Sequence, residues 1–196
     1  MTEHDLVERC REGNREAQRE FYDRTSGQVY RLLLKMTANP DDAFDLAQET
    51  YLKAFTRINQ FDGRSSVATW LYRVAVNEAL QFLRRAGRAR VKLQEIVPEK
   101  CAGSNIEQSS IRLDMNDALA ALPPNDRAML LLRYQEGLDY RAIAEVVDCA
   151  SGTVASRLNR ARRNLREILR KSYGPREEKG RGDHPKDATQ VSSETG

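Results

Sequence analysis

Apolar residues recur at helical spacing along nearly all of the first 170 or so positions of this 196-residue chain, and no useful stretch alternates with the two-residue period of a strand. Helices patterned in this way bury a stripe against one another, so the chain is expected to be all-α. The periodicity runs from residue 3 to about 85, with breaks at "ANPDDA" and "FDGRSS". It resumes near Ile111, breaks again at "LPPND" and continues to about Tyr173. At the first break Asn39 and Pro40 should end one helix, with Asp41 or Asp42 capping the next; at the second, Gly63, Ser65 and Ser66 form a loop. Between the two blocks "AGRARVKLQEIVPEKCAGSNIEQSS" mixes Gly, Pro, Ser and charges without a sustained period. The expectation is therefore two small helical domains, residues 1–86 and 111–173, joined by a flexible linker at 87–110 and followed by a disordered tail at 174–196.

Within the first block, "DAFDLAQETYLKAF" raises a specific question. At about 100° per residue, Phe44, Ala47, Tyr51, Ala54, Phe55 and Ile58 share the stripe expected to face the core. The opposite face carries Asp45, Gln48, Glu49, Leu52 and Thr56, which leaves a leucine among carboxylates and amides.

The composition, 40% hydrophobic and 31% charged, suits a soluble helical protein. No apolar run approaches the roughly 20 residues of a membrane span, and "MTEHDLVERCREGNREAQRE" lacks the apolar stretch of a signal peptide, so membrane insertion is not expected and the chain should be cytoplasmic. Cys10, Cys101 and Cys149 are scattered and form no C-x-x-C, which suggests neither a disulfide framework nor a metal site. His4 and His184 have no neighbours that would make either a catalytic base. No catalytic residue, metal or cofactor is expected, and the chain is not read as an enzyme.

The second block carries a clearer signal. In "GLDYRAIAEVVDCASGTVASRLNRARRNLREIL", Asp139 can cap a short helix whose Ile143, Ala144 and Val147 face inward, "DCA" makes a turn, and Ser151 can cap a second helix. This is helix-turn-helix spacing. Along the second helix Val154, Leu158, Ala161 and Leu165 form one stripe, while Ser156, Asn159 and Arg163 point the other way with Arg160 beside them. Short polar groups and arginines are the types that bond base edges and phosphates in a major groove. Between residues 152 and 171 seven bases stand against the single acid Glu167, the electrostatic footprint of phosphate contact.

Taken in order, "DAFDLAQETYLKAF", "FDGRSSVATWLYRVAVNEALQFLRR" and "ALPPNDRAMLLLRYQEGLDYRAIAEVVDCASGTVASRLNRAR" resemble the extracytoplasmic function (ECF) group of bacterial sigma factors, over roughly residues 15–170. The resemblance implies that Asp45, Gln48, Glu49 and Leu52 dock on the β′ clamp helices of core RNA polymerase, which would give the outward leucine a purpose. It implies that the loop Asp62, Gly63, Arg64, Ser65 and Ser66 holds a flipped base of the melted minus-ten element, that Asn77 reaches toward that base, and that Arg73, Arg84 and Arg85 follow the backbone. Trp70 shares helical spacing with Val74 and Asn77 and is read as core packing rather than as a stacking platform. For the second domain the resemblance implies recognition of the duplex minus-thirty-five element, with Ser156, Asn159, Arg160 and Arg163 toward the DNA and Arg133 and Tyr140 near phosphates. Family members often carry arginine where this chain has Ala155, so the promoter sequence does not transfer from a relative.

The implied partners are core RNA polymerase, through its β′ clamp helices and β flap, promoter DNA and an anti-sigma factor. The linker would thread the polymerase and span the two DNA elements. The expected function is promoter-directed transcription initiation; the alternative is an autonomous helix-turn-helix regulator binding duplex DNA alone.

Overall fold

The structure, a computed structural model, describes residues 2–96 and 115–173, and among these residues there is no strand. The Thr2 side chain accepts from the Asp5 amide while the Asp5 carboxylate accepts from the Thr2 amide, a reciprocal cap that opens α1 (Glu3–Arg11). Gly13, at φ 76°, takes the chain through a left-handed turn, and Asn14 caps α2 (Arg15–Thr37) by accepting from the Ala17 amide at 3.0 Å. The first block thus contains a break at residues 12–14 that the apolar spacing hides.

Ala38, at φ 56°, ends α2, and Asn39 is the cap of α3 (Pro40–Thr56). Its side chain accepts from the amides of both Asp41 and Asp42, with Pro40 at the first helical position. This corrects the expected boundary: Asn39 starts a helix rather than ending one, and the aspartates lie inside it, where their charge favours the helix dipole. After a single 3-10 turn (Ile58–Gln60), α4 (Val67–Ile96) begins, with the Ser66 hydroxyl accepting from the Thr69 amide at 3.1 Å. The backbone of α4 stays helical ten residues beyond the boundary expected at 86. The remainder of the expected linker from residue 97, Cys101, and the tail at 174–196 lie outside the described residues.

The first core forms around α2. Phe21, Val29, Leu32, Leu33 and Met36 are buried against Leu46, Tyr51 and Ala54 of α3 and against Leu71, Ala75, Val76 and Ala79 of α4. Fully buried alanines at 43, 54, 75 and 79 let the helices approach closely, and Phe21 meets the rings of Phe55 and Tyr51 edge-on at 5.7 and 6.5 Å. In α3 the buried stripe is Ala43, Leu46, Thr50, Tyr51 and Ala54. Phe44, expected in that stripe, is 57% exposed.

The second block comprises α5 (Met115–Ala120), α6 (Pro124–Tyr134), α7 (Tyr140–Val147) and α8 (Ser151–Tyr173). Asp139 caps α7 as expected, accepting from the Ala142 amide at 2.7 Å, and Asp148 at φ 51° makes the turn. Ile143, Ala144 and Val146 face inward to meet Val154, Leu158 and Ala161, whereas Val147 is only partly buried. Ser151 is the first residue of α8 rather than a residue ahead of it.

The two helical domains do not stand apart. Their buried residues form one continuous cluster, with α7 and α6 against α4 and with α5 and α6 against α2. Arg127 of α6, almost completely buried, donates to the carbonyl of Met36 in the last turn of α2 and to those of Ala120 and Leu122. The guanidinium thereby satisfies a helix-terminal carbonyl that no backbone amide reaches.

Candidate nucleic-acid and partner interfaces

The outer face of α3 presents Asp45, Gln48, Glu49 and Leu52 to solvent, Leu52 at 69% exposure. Phe44 joins them. Phe44, Gln48 and Leu52 fall one turn apart along a single line, so two large apolar side chains stand on a face otherwise made of acids and an amide. Glu49 is 3.9 Å from Lys53, which also pairs with Glu78 of α4. The sequence did signal this arrangement: once small Ala43 and Ala54 set the phase of the buried stripe, Phe44 turns outward.

Beside α3, the loop at 62–66 and the first turns of α4 shape a cleft of about 710 Å³. Gly63 occupies φ 73°, a conformation that favours glycine, and the Asp62 carboxylate accepts from the Arg64 amide at 3.1 Å and from Arg64 Nε at 2.5 Å. The bond from the Arg64 side chain holds the Asp62 carboxyl below its usual pKa. Asp62, Arg64, Ser65, Arg73 and Asn77 all line the cleft. Gly63 and Ser66 do not; the Ser66 hydroxyl is engaged at the start of α4. Arg84 and Arg85 lie farther along α4, outside the cleft, with Arg84 bonded to the Leu80 carbonyl and Arg85 to Gln81.

Trp70 packs partly against the core and stands 5.8 Å from the Phe61 ring, and it also forms part of the cleft wall. Sequence reasoning missed Lys53, Arg57 and Gln81 on this wall. It also missed Arg141 and Glu145, which reach the cleft from α7 because the second domain packs on α4. Arg57 and Arg73 make no ion pair among the described residues, so their charge is available to an anionic ligand.

On α8, Ser156, Asn159, Arg160 and Arg163 are all exposed. Asn159 accepts through Oδ1 from Arg162, whose guanidinium also lies 3.4 Å from the Tyr134 hydroxyl, and the Asn159 amide nitrogen has no partner among the described residues. Arg133 donates to the Leu138 carbonyl at 2.8 Å and lies over the Tyr140 ring, 5.4 Å from its centre. That pair braces the approach to α7 and leaves Tyr140 44% exposed at the helix start.

Two family models match the chain: sigma-70 region 2 over residues 21–89 and sigma-70 region 4 over residues 112–165. The chain is 35% identical over 176 residues to the ECF RNA polymerase sigma-E factor of Haemophilus influenzae, covering 83% of this chain and 92% of that relative. It is 32% identical to the RNA polymerase sigma-H factor of Pseudomonas aeruginosa, over 84% of this chain and 92% of that one. Among solved structures it is similar to the sigma factor RpoE of Bartonella quintana in complex with the anti-sigma factor NepR, with TM-score 0.61, 28% identity, and coverage of 78% of this chain and 96% of that one. It shares its fold with CnrH, solved with the cytosolic domain of CnrY, at TM-score 0.62 and 21% identity over 84% and 94% of the two chains.

Proposed function

The chain belongs to the extracytoplasmic function group of RNA polymerase sigma factors, and on that premise we propose that it docks on core polymerase through the outer face of α3 and reads a promoter at two separate places. The observation that carries the docking surface is the pairing of Phe44 with Leu52 on a helix whose inner face is already buried. An apolar centre ringed by Asp45, Gln48 and Glu49 is suited to a basic, partly apolar helix, such as the β′ clamp helices engaged by the family.

The cleft beside α4 is proposed to take the melted minus-ten strand. Trp70 and Phe61 offer an aromatic wall, Asn77 and Ser65 offer hydrogen bonds, and Arg57 and Arg73 compensate phosphate charge. Gly63 sets the loop, while Arg84 and Arg85 continue the basic path along α4. Ser156, Asn159, Arg160 and Arg163 of α8 are proposed to face the minus-thirty-five duplex, with Arg133 and Tyr140 at its phosphates. The segment that follows α4, residues 97–110, then serves as the connection between the two readers. An anti-sigma partner is proposed as well, by likeness to the Bartonella quintana complex.

The test is to reconstitute core RNA polymerase with the purified chain on fragmented bacterial DNA and to map the 5′ ends of the transcripts. The proposal requires new start sites that core polymerase alone does not use, sharing sequence near minus ten and minus thirty-five. An unchanged set of starts, with the chain still bound to duplex DNA, would favour a stand-alone regulator.

A further inference from the structure

Asp126 sits in the first turn of α6, where a carboxylate is favoured by the helix dipole, yet its side chain is only 6% exposed. A buried carboxylate is tolerated when donors meet its oxygens. Here both donors come from α8: Arg160 Nη2 donates to Oδ1 at 3.1 Å and Asn164 Nδ2 donates to Oδ2 at 3.2 Å. Arg160 and Asn164 are one turn apart on the same side of the helix.

One planar group is therefore fastened to two successive rungs of α8, which fixes both the rotation of that helix about its axis and its slide against α6. Phase matters on this helix, because Ser156, Asn159 and Arg163 ride its outer side and a slip of one residue turns each by about 100°. Arg160 is held at one corner only. Its side chain stays 56% exposed, and Nε and Nη1, the rest of the donor fork, have no partner among the described residues.

We propose that Asp126 is the positioning residue of the duplex-reading surface: through Arg160 and Asn164 it sets the phase of α8 and aims the free edge of the Arg160 guanidinium outward at a base pair. This rests on the duplex-reading role proposed above for α8. Asp126 escapes a reading of the sequence because it lies in "LPPND", where it looks like an ordinary turn residue.

Binding sequences are selected from a randomised duplex DNA pool by the full chain assembled with core polymerase, using wild type, Asp126→Ala, Asp126→Asn, Arg160→Ala and the Asp126→Ala/Arg160→Ala double variant. Arg160→Ala should relax discrimination at one base pair by about ten- to a hundredfold. Asp126→Ala should relax that same base pair to a similar degree, the double variant should do no more than either single change, and Asp126→Asn, which keeps an acceptor oxygen for Arg160, should retain most of the preference. A loss spread evenly over all sequences, an additive relaxation at a different base pair, or unchanged discrimination in Asp126→Ala would overturn the positioning role. If Asp126→Ala does not fold, Asn164→Ala keeps the ion pair and supplies the same readout: a smaller relaxation at the Arg160 position supports the role, and none overturns it. Failure of the wild type to enrich any sequence would instead remove the duplex-reading role, so the two failures are distinct.

Discussion

The Tyr72 hydroxyl, on the buried side of α4, donates to the carboxylate of Glu136 in the loop after α6, so a partly buried polar contact links the region 2 and region 4 domains. Gln28 of α2 lies at 3.4 Å from the same hydroxyl. A hydrogen bond to a charged acceptor is worth about 1.5–3 kcal/mol when its partners are withdrawn from water. Tyr72→Phe and Glu136→Gln should each lower stability to urea, and the double variant should lose less than the sum of the two. Strict additivity would mean the contact contributes nothing between the domains.

Burial, with the Glu136 carboxylate second, pushes the Tyr72 phenol above its ordinary pKa of 10, and burial pushes Tyr51 to about 12. The folded chain thus keeps protons that the unfolded chain gives up. The stability these groups contribute is complete below about pH 10 and is lost as pH rises through the folded values. Denaturation followed from pH 9 to 12 should show stability falling with pH, and Tyr72→Phe, lacking one such group, should fall less steeply. Parallel curves would contradict the assignment.

Arg127 joins the two cores by donating to Met36, Ala120 and Leu122. Arg127→Met leaves these carbonyls short of a donor, each worth about 1–3 kcal/mol where it stays dry. The variant should unfold at markedly lower denaturant, and Arg127→Lys should recover little, since one ammonium cannot span the fork. Recovery by lysine would show that charge rather than geometry matters here.

Phe44→Asp should leave thermal stability within about 0.5 kcal/mol, as expected of an exposed position, while lowering affinity for core polymerase. Leu46→Asp, two residues on but buried, should unfold the domain. Affinity measured by fluorescence anisotropy on labelled chain separates the two. Undiminished binding by Phe44→Asp would contradict the pairing of Phe44 with Leu52 in the docking surface.

Much of this was legible from spacing. The helix-turn-helix, the Asp139 cap and the outward Leu52 follow from periodicity and side-chain chemistry alone. Helical spacing puts Phe44 on one stripe with Tyr51 and Ala54, whereas in the structure Ala43, Leu46 and Thr50 fill that side of α3 and Phe44 faces solvent. The helix beyond residue 86 lacks a sustained apolar period, yet "RRAGRARVKLQE" is rich in good helix formers. Nothing local in the sequence marks Arg127 or Tyr72 as partners of another domain, because such contacts depend on how two finished surfaces meet. The Asp126 contacts were hidden because Asp126 lies in "LPPND", among turn residues, and its partners stand 34 and 38 residues away.

The apolar residues on the outer face of α3 are proposed to belong to a surface shared with polymerase. The most direct measurement is size-exclusion chromatography of the chain mixed with bacterial core RNA polymerase, with Leu52→Asp run beside it and circular dichroism confirming that both fold. Co-elution of the wild type and elution of the folded variant alone are expected. Equal co-elution of both would contradict the docking surface, and elution of the wild type by itself would contradict the proposal that this chain loads onto polymerase through α3.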